Sequence, residues 1–187
     1  LDPRDRDLLR YAAVLGVEFS LPALQLMLAA RGQRVDDEAL RRVGDFIESA
    51  GDIRRRFRHA VIRDVAYSGL PYRLRRQMHE QVGRALEQGD HRDDDDLVDQ
   101  LSMHFFHAGK YEEAWRYSRD AADRARDKYA HAEALEFLER ALECRSHARG
   151  IQPAQVAALY EQLGDIRDIA GLSVEAAYAY RRARAFV

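Results

Sequence analysis

Neither Asn nor Thr occurs anywhere in this 187-residue chain, so N-glycosylation and every other motif that needs either residue is excluded. A single cysteine, Cys144, allows no internal disulfide and points to a reducing, cytoplasmic setting. Four Pro and 11 Gly are too few for a collagen-like or linker-rich chain, and 47% apolar with 33% charged residues excludes a disordered one. The longest stretch without a charge, Phe19 to Ala30, is too short to cross a bilayer, so no membrane partner is expected. What remains is a helix-rich globule.

Charge divides unevenly along the chain. Residues 1–75 hold 14 basic and 11 acidic side chains, a net of +3, and the remainder holds 16 and 21, a net of −5. Any nucleic-acid surface is therefore to be sought in the first part, because the acidic remainder repels phosphate. The chain begins at Leu1 without Met and stops at Phe186-Val187 inside an apparent helix, which reads as a piece of a longer polypeptide.

The first part shows three short helical patterns. Asp2-Pro3 followed by Leu8, Leu9, Tyr11, Ala12 and Leu15 has helical spacing with Gly16 as its stop. Ser20 caps a second helix that ends at Gly32. A third is expected from about Asp36 to Ser49, with Leu40, Val43, Phe46 and Ile47 on one face and three acids in its first turn. Gly51-Asp52 makes a turn into the short extended segment Ile53 to Arg58, and helices at 59–69 and 71–88 follow. Three helices and then a strand is the plan of a small winged-helix-like domain, placed at residues 1–75.

The second part, residues 76–187, reads as a TPR-like α-helical array, giving a mainly α fold overall. Five helices are expected between Leu97 and Val187, jointed at Gly109, Asp127 to Ala130, Arg149 to Pro153, and Gly171. Tyr160, Leu163, Gly164, Ala176, Tyr180 and Ala183 follow the tetratricopeptide spacing, and Val98, Leu101, Ser102, Phe105, Ala114, Ser118 and Ala121 take the same positions in an earlier unit. Ala134, Leu138 and Ala141 form a further second-helix signature, which leaves the pairing of the helix at 111–126 open.

Residues Arg56 to Leu70, together with Arg75, His79 and Val82 to Leu86, resemble the winged-helix segment of bacterial STAND-class signal-transduction ATPases. That group includes regulators with adenylate or guanylate cyclase or LuxR-type output domains, in which the segment lies between the nucleotide-binding module and a tetratricopeptide array. The resemblance implies a non-catalytic regulatory and protein-interaction segment that relays nucleotide state, with ADP or ATP held by the parent and no cofactor in this piece. In the related NB-ARC group a Met-His-Asp motif places its His on the β-phosphate of ADP. His59 looks like that His, while Arg58 and Ala60 stand where the motif has Met and Asp; Asp64 and Ala66 keep later positions. The residue type alone also allows His59 to cap the next helix or to pack in the core.

Arg54, Arg55, Arg56 and Arg58 can be read in two ways. They form a DNA-contacting wing, supported by Arg41 and Arg42, in a transcriptional regulator, or a solvated or interdomain surface. Through the tetratricopeptide pattern, the groove positions of the array fall on Asp99, Met103 and Phe106 and on Glu161, Asp165 and Asp168. A mixed acidic and apolar groove would take a basic amphipathic protein or peptide ligand, or one of the parent's own domains.

No catalytic residue is assigned. His91-Arg92-Asp93 copies the start of a kinase catalytic loop, but Val98 stands where the metal-holding Asn is needed. Asp93 to Asp96 with His91, and His104 with His107, are better read as a solvated helix start and as helix packing than as metal ligands. Cys144 and His147 lack an orienting acid and an oxyanion turn.

Overall fold

Asp2 starts the first helix, α1 (Pro3–Leu15), by accepting a 2.8 Å hydrogen bond from the Arg4 amide, and Gly16 at φ +130° ends it. The computed structural model describes residues 1–29, 32–89 and 96–186. Strand β1 (Glu18–Ser20) follows directly, then α2 (Leu21–Ala29), whose first turn is capped by the Ser20 hydroxyl accepting from the Ala23 amide at 3.5 Å. The next elements are α3 (Asp37–Arg42), β2 (Ile47–Ser49), β3 (Arg54–Phe57), α4 (Ala60–Ser68) and α5 (Tyr72–Gln88). The remaining helices are α6 (Leu97–Ala108), α7 (Tyr111–Asp127), α8 (His131–Cys144), α9 (Pro153–Ile169) and α10 (Ser173–Arg184). Among the described residues the protein is thus mainly helical with one small sheet. No helix among the described residues is long and apolar enough to cross a membrane.

The expected third helix is corrected here: α3 stops at Arg42, and its predicted second half is a turn and a strand. Val43, Phe46 and Ile47 have helical spacing, but Gly44 weakens a helix interior by about 1 kcal/mol. The Phe46 and Ile47 amides instead close a turn on the Val43 carbonyl, at 2.9 and 3.0 Å. Ile47 then pairs with Phe57 in an antiparallel ladder, an interaction that local spacing does not encode. Strand β1, where the spacing predicts no element, pairs with β3, so the sheet order is β1-β3-β2.

The chain divides into two compact units, Leu1–Ala85 and Leu86–Val187. In the first, α1 packs against α2, α4 and β1, and one sheet face turns Phe19, Ile47 and Phe57 inward, with the two phenyl rings 5.9 Å apart. Two polar ties fasten its helices. The buried Asp5 carboxylate accepts from Arg42 Nε at 3.0 Å, and Arg63 Nε of α4 donates to the Ala13 carbonyl at 2.9 Å. Further along, Tyr67 Oη meets the Nε2 of buried His79 at 2.9 Å.

In the second unit the five helices and their joints lie where the spacing places them. Gly109 and Gly171, both in the left-handed region, close their helices with paired backbone bonds: Gly109 to Phe106 and Lys110 to Phe105, then Gly171 to Asp168 and Leu172 to Arg167. Helix α7 packs on both α6 and α8, and α9 packs on α10. The open pairing of α7 thus has a geometric answer, because the helix has two apolar neighbours. Its small residues Ala114, Ser118, Ala121, Ala122 and Ala125 are all buried, which lets both neighbours approach closely. Gly164 does the same for α9: a Cβ there would lie 2.5 Å from the Tyr180 ring of α10.

Candidate functional site

Strand β3 alternates. Arg55 and Phe57 share one face, and Arg54 and Arg56 point from the other, where Glu18 and Glu48 are the Cα partners of Arg56 on either side. The charges interlock across the sheet. Arg54 Nη1 is 3.1 Å from Glu18, Arg56 Nε is 2.7 Å from Glu48, and Arg58 Nη1 is 3.2 Å from the other Glu48 oxygen. Arg58 Nε also donates to the Gly44 carbonyl at 2.9 Å, and Arg55 donates to carbonyls of the β2–β3 turn, Gly51 at 3.2 Å among them. The hydrogen bond from Arg56, with Arg58 and His59 adding positive charge, holds the Glu48 carboxyl below its usual range. On α3, Arg41 donates to the Asp37 carbonyl and Arg42 is committed to Asp5.

His59 sits in extended geometry (φ −139°, ψ 134°) at the cap position of α4, is exposed, and makes no side-chain capping bond. It therefore neither packs in the core nor closes the helix; its ring stands at the surface at the edge of the Glu48 cluster. Beyond it, α4 buries none of its residues and leaves Val61 and Val65, one turn apart, in solvent.

The six residues expected to line a groove fall on two helices that are not each other's main neighbours: α6 packs with α7 and α8, α9 with α8 and α10. On α6, Asp99, Met103 and Phe106 are all half-buried, and the Phe106 ring meets Tyr111 edge-on at 6.3 Å. Burial raises the Asp99 carboxyl above its usual range, helped by Asp96 and Glu133. On α9, Glu161, Asp165 and Asp168 are exposed along one face. The Tyr180 hydroxyl donates to Asp165 at 2.9 Å; that bond, burial and the charges of Asp165 and Asp168 raise the Tyr180 pKa.

Two features of the second unit have no signal in the sequence pattern. Arg140 of α8, cation above the Phe137 ring, donates from Nη1 to the Ser102 hydroxyl at 2.9 Å, and Ser102 shares a 2.8 Å hydrogen bond with Ser118. Nothing in the spacing marks Arg140 as an inward residue. Desolvation lowers its pKa. The second is an open cleft of about 280 Å³ over Trp115, walled by Arg116, Arg119, Asp120 and the loop from Ala148 to Ile151; none of the expected groove residues lines it.

The remaining titratable candidates are structural. His104 is buried, and desolvation brings its pKa down to about 3, so it is held neutral. Cys144 is also buried and its thiol is pushed up to about 12, which removes the thiolate needed for nucleophilic chemistry. His147 stacks on Tyr111 at 4.6 Å. Among the described residues no group of three or more His, Cys, Asp or Glu side chains could hold a metal ion; His91 and Asp93 to Asp95 lie outside them. No family model, curated protein or solved structure matches this chain.

Proposed function

We propose that this chain is a non-catalytic regulatory and protein-interaction segment of a cytoplasmic bacterial STAND-class ATPase or cyclase-type regulator. In this reading a winged-helix-like unit relays nucleotide state to a tetratricopeptide-like array, which binds a basic protein or peptide. The observation that carries the interaction role is the stripe of Glu161, Asp165 and Asp168, exposed at i, i+4 and i+7 on α9. Packing in the second unit agrees with the array: Gly164 stands against Tyr180 and Ser102 against Ser118, at corresponding positions of two helix pairs. The order of helices around a three-stranded antiparallel sheet agrees with the winged-helix plan.

Regulation by nucleotide rests on His59, whose exposed imidazole is free to reach a phosphate carried by another module. A charge-assisted bond of that kind contributes about 1.5 to 3 kcal/mol. Purified full-length parent should retain ADP, and His59→Ala, still folded, should lose it; equal retention would remove the sensor role. The interaction role has a separate test, since Asp165→Lys with Asp168→Lys should abolish binding of a basic peptide.

The alternative, a DNA-reading regulator, draws less support. The guanidinium groups of Arg54, Arg56 and Arg58 are already engaged with Glu18 and Glu48 of their own sheet, so each phosphate contact would have to displace an ion pair. Sequence-preferring gel-shift binding that survives moderate salt would reverse this order of preference.

A further inference from the structure

The open cleft over Trp115 takes no part in the function proposed above, yet both its walls are firmly built. The α7 wall begins at Glu112 and continues at i+3, i+4, i+7 and i+8, the spacing of one helix face. The opposite wall is the α8–α9 loop, fastened at both ends. The Ala148 amide donates to the Cys144 carbonyl at 2.9 Å, the Gln152 amide donates to Gln155 Oε1 at 3.0 Å, and Gly150 at φ +75° turns the chain between them. Trp115, only 6% exposed, lies at the floor with Ala148 and Ile151 beside it.

The charges around the cleft are of both signs. Arg116 is held by Glu87 at 3.0 Å. Glu112, Arg119, Asp120 and Arg149 make no ion pair among the described residues, and Arg119 instead stands over the Trp115 ring, 5.8 Å from its centroid. Glu112 and Arg119 are two turns apart on α7, about 10 Å along the axis, so they do not meet as residues one turn apart do. Two carboxylates and two guanidinium groups are thus left to be met from outside, and together they carry no net charge.

These features select a ligand. An anion would face two carboxylates and a cation two guanidinium groups, whereas a zwitterion satisfies both signs. At about 280 Å³ the cleft lies just under the usual range of small-molecule sites, about 300 to 1,000 Å³, so the ligand is small. The apolar floor calls for an apolar body between its charges. We propose that the cleft binds an apolar dipeptide with free ends, its carboxylate on Arg119 and Arg149 and its ammonium on Glu112. Two extended residues span about 7 Å, and the reach of the side chains makes up the rest of the two-turn separation on α7. The site is distinct from the acidic stripe of α9 and stands or falls independently of the interaction role.

Radiolabelled leucyl-leucine serves as probe in equilibrium dialysis against the full chain, with its N-acetyl and C-amide derivatives as competitors. Trp115 is the only tryptophan, so its emission reports on the cleft directly. Leucyl-leucine should bind saturably and shift that emission, and blocking either end should weaken binding about tenfold by removing a charge-assisted bond. Glu112→Gln should weaken the free dipeptide while leaving the affinity of the acetylated one unchanged, and Arg119→Gln should act in the same way with respect to the amide. Melting curves like that of wild type check that both variants are folded. Absence of saturable binding overturns the proposal. So does equal binding of the acetylated dipeptide, which would make the cleft an anion site, or of the amide, which would make it a cation site. Binding that both substitutions leave intact lies elsewhere on the chain and overturns it as well.

Discussion

Ser102 of α6 and Ser118 of α7 hydrogen-bond at 2.8 Å in the core of the second unit, and the corresponding positions of α9 and α10 hold Gly164 and Tyr180 in direct contact. Both pairs solve one problem, the close crossing of two antiparallel helices. The first uses two small residues joined by a hydrogen bond, the second a missing side chain and a ring that fills its place.

The Gly164 contact leaves no room for a methyl group. In Gly164→Ala the new Cβ would sit 2.5 Å from Tyr180 Cε1, and the ring is held at its far end by Asp165. We expect a loss of about 2 kcal/mol, as for other overpacked sites. Adding Tyr180→Ser, which copies the α6–α7 arrangement, should recover part of it in denaturant midpoints.

Ser102 carries a second load, because it accepts the Arg140 hydrogen bond. Ser102→Ala should cost about 2 kcal/mol by leaving a half-buried guanidinium without that acceptor. Arg140→Met on that background should restore stability, whereas Arg140→Met alone should change it little. A double-mutant cycle by chemical denaturation measures the coupling, and additive effects would refute it.

Tyr129 occupies the turn position that Gly109 and Gly171 fill elsewhere. Its φ is +57°, it is 81% exposed, and the same paired bonds close the helix, Tyr129 to Arg126 and Ala130 to Ala125. A side chain in that region costs about 1 kcal/mol. Tyr129→Gly should therefore raise the melting temperature, and Tyr129→Ala, which keeps the Cβ, should not match it.

His104 makes stability depend on acid. Its pKa is depressed from 6.5 when unfolded to about 3 when folded, so between these values the unfolded chain binds the extra proton. The stabilisation is complete above pH 6.5 and is lost as the pH falls toward 3, with a slope of up to about 1.4 kcal/mol per pH unit. His104→Leu should flatten the curve of unfolding free energy against pH in that window; an unchanged slope would place the titration elsewhere.

Local signals were enough to place the helices and most of their ends. Asp2-Pro3, Gly16, Gly109 and Gly171 act within a few residues of themselves, through caps and left-handed turns, so their meaning is readable from the chain alone. That Glu161, Asp165 and Asp168 share one exposed side of α9 was legible for the same reason, since spacing at i, i+4 and i+7 follows from the helix that carries them.

Tertiary structure decided what distance along the chain hides. Val43, Phe46 and Ile47 fit a helix by spacing, but Ile47 became a strand residue because β3 supplied its partner, and three-residue strands are too short to show a period of their own. Glu18 and Glu48 flank Arg56, and Arg140 reaches Ser102, only after folding brings distant residues together. Spacing can state which side of a helix is apolar; which neighbours satisfy it, and which charged groups are drawn in with them, depends on the packing of the whole unit.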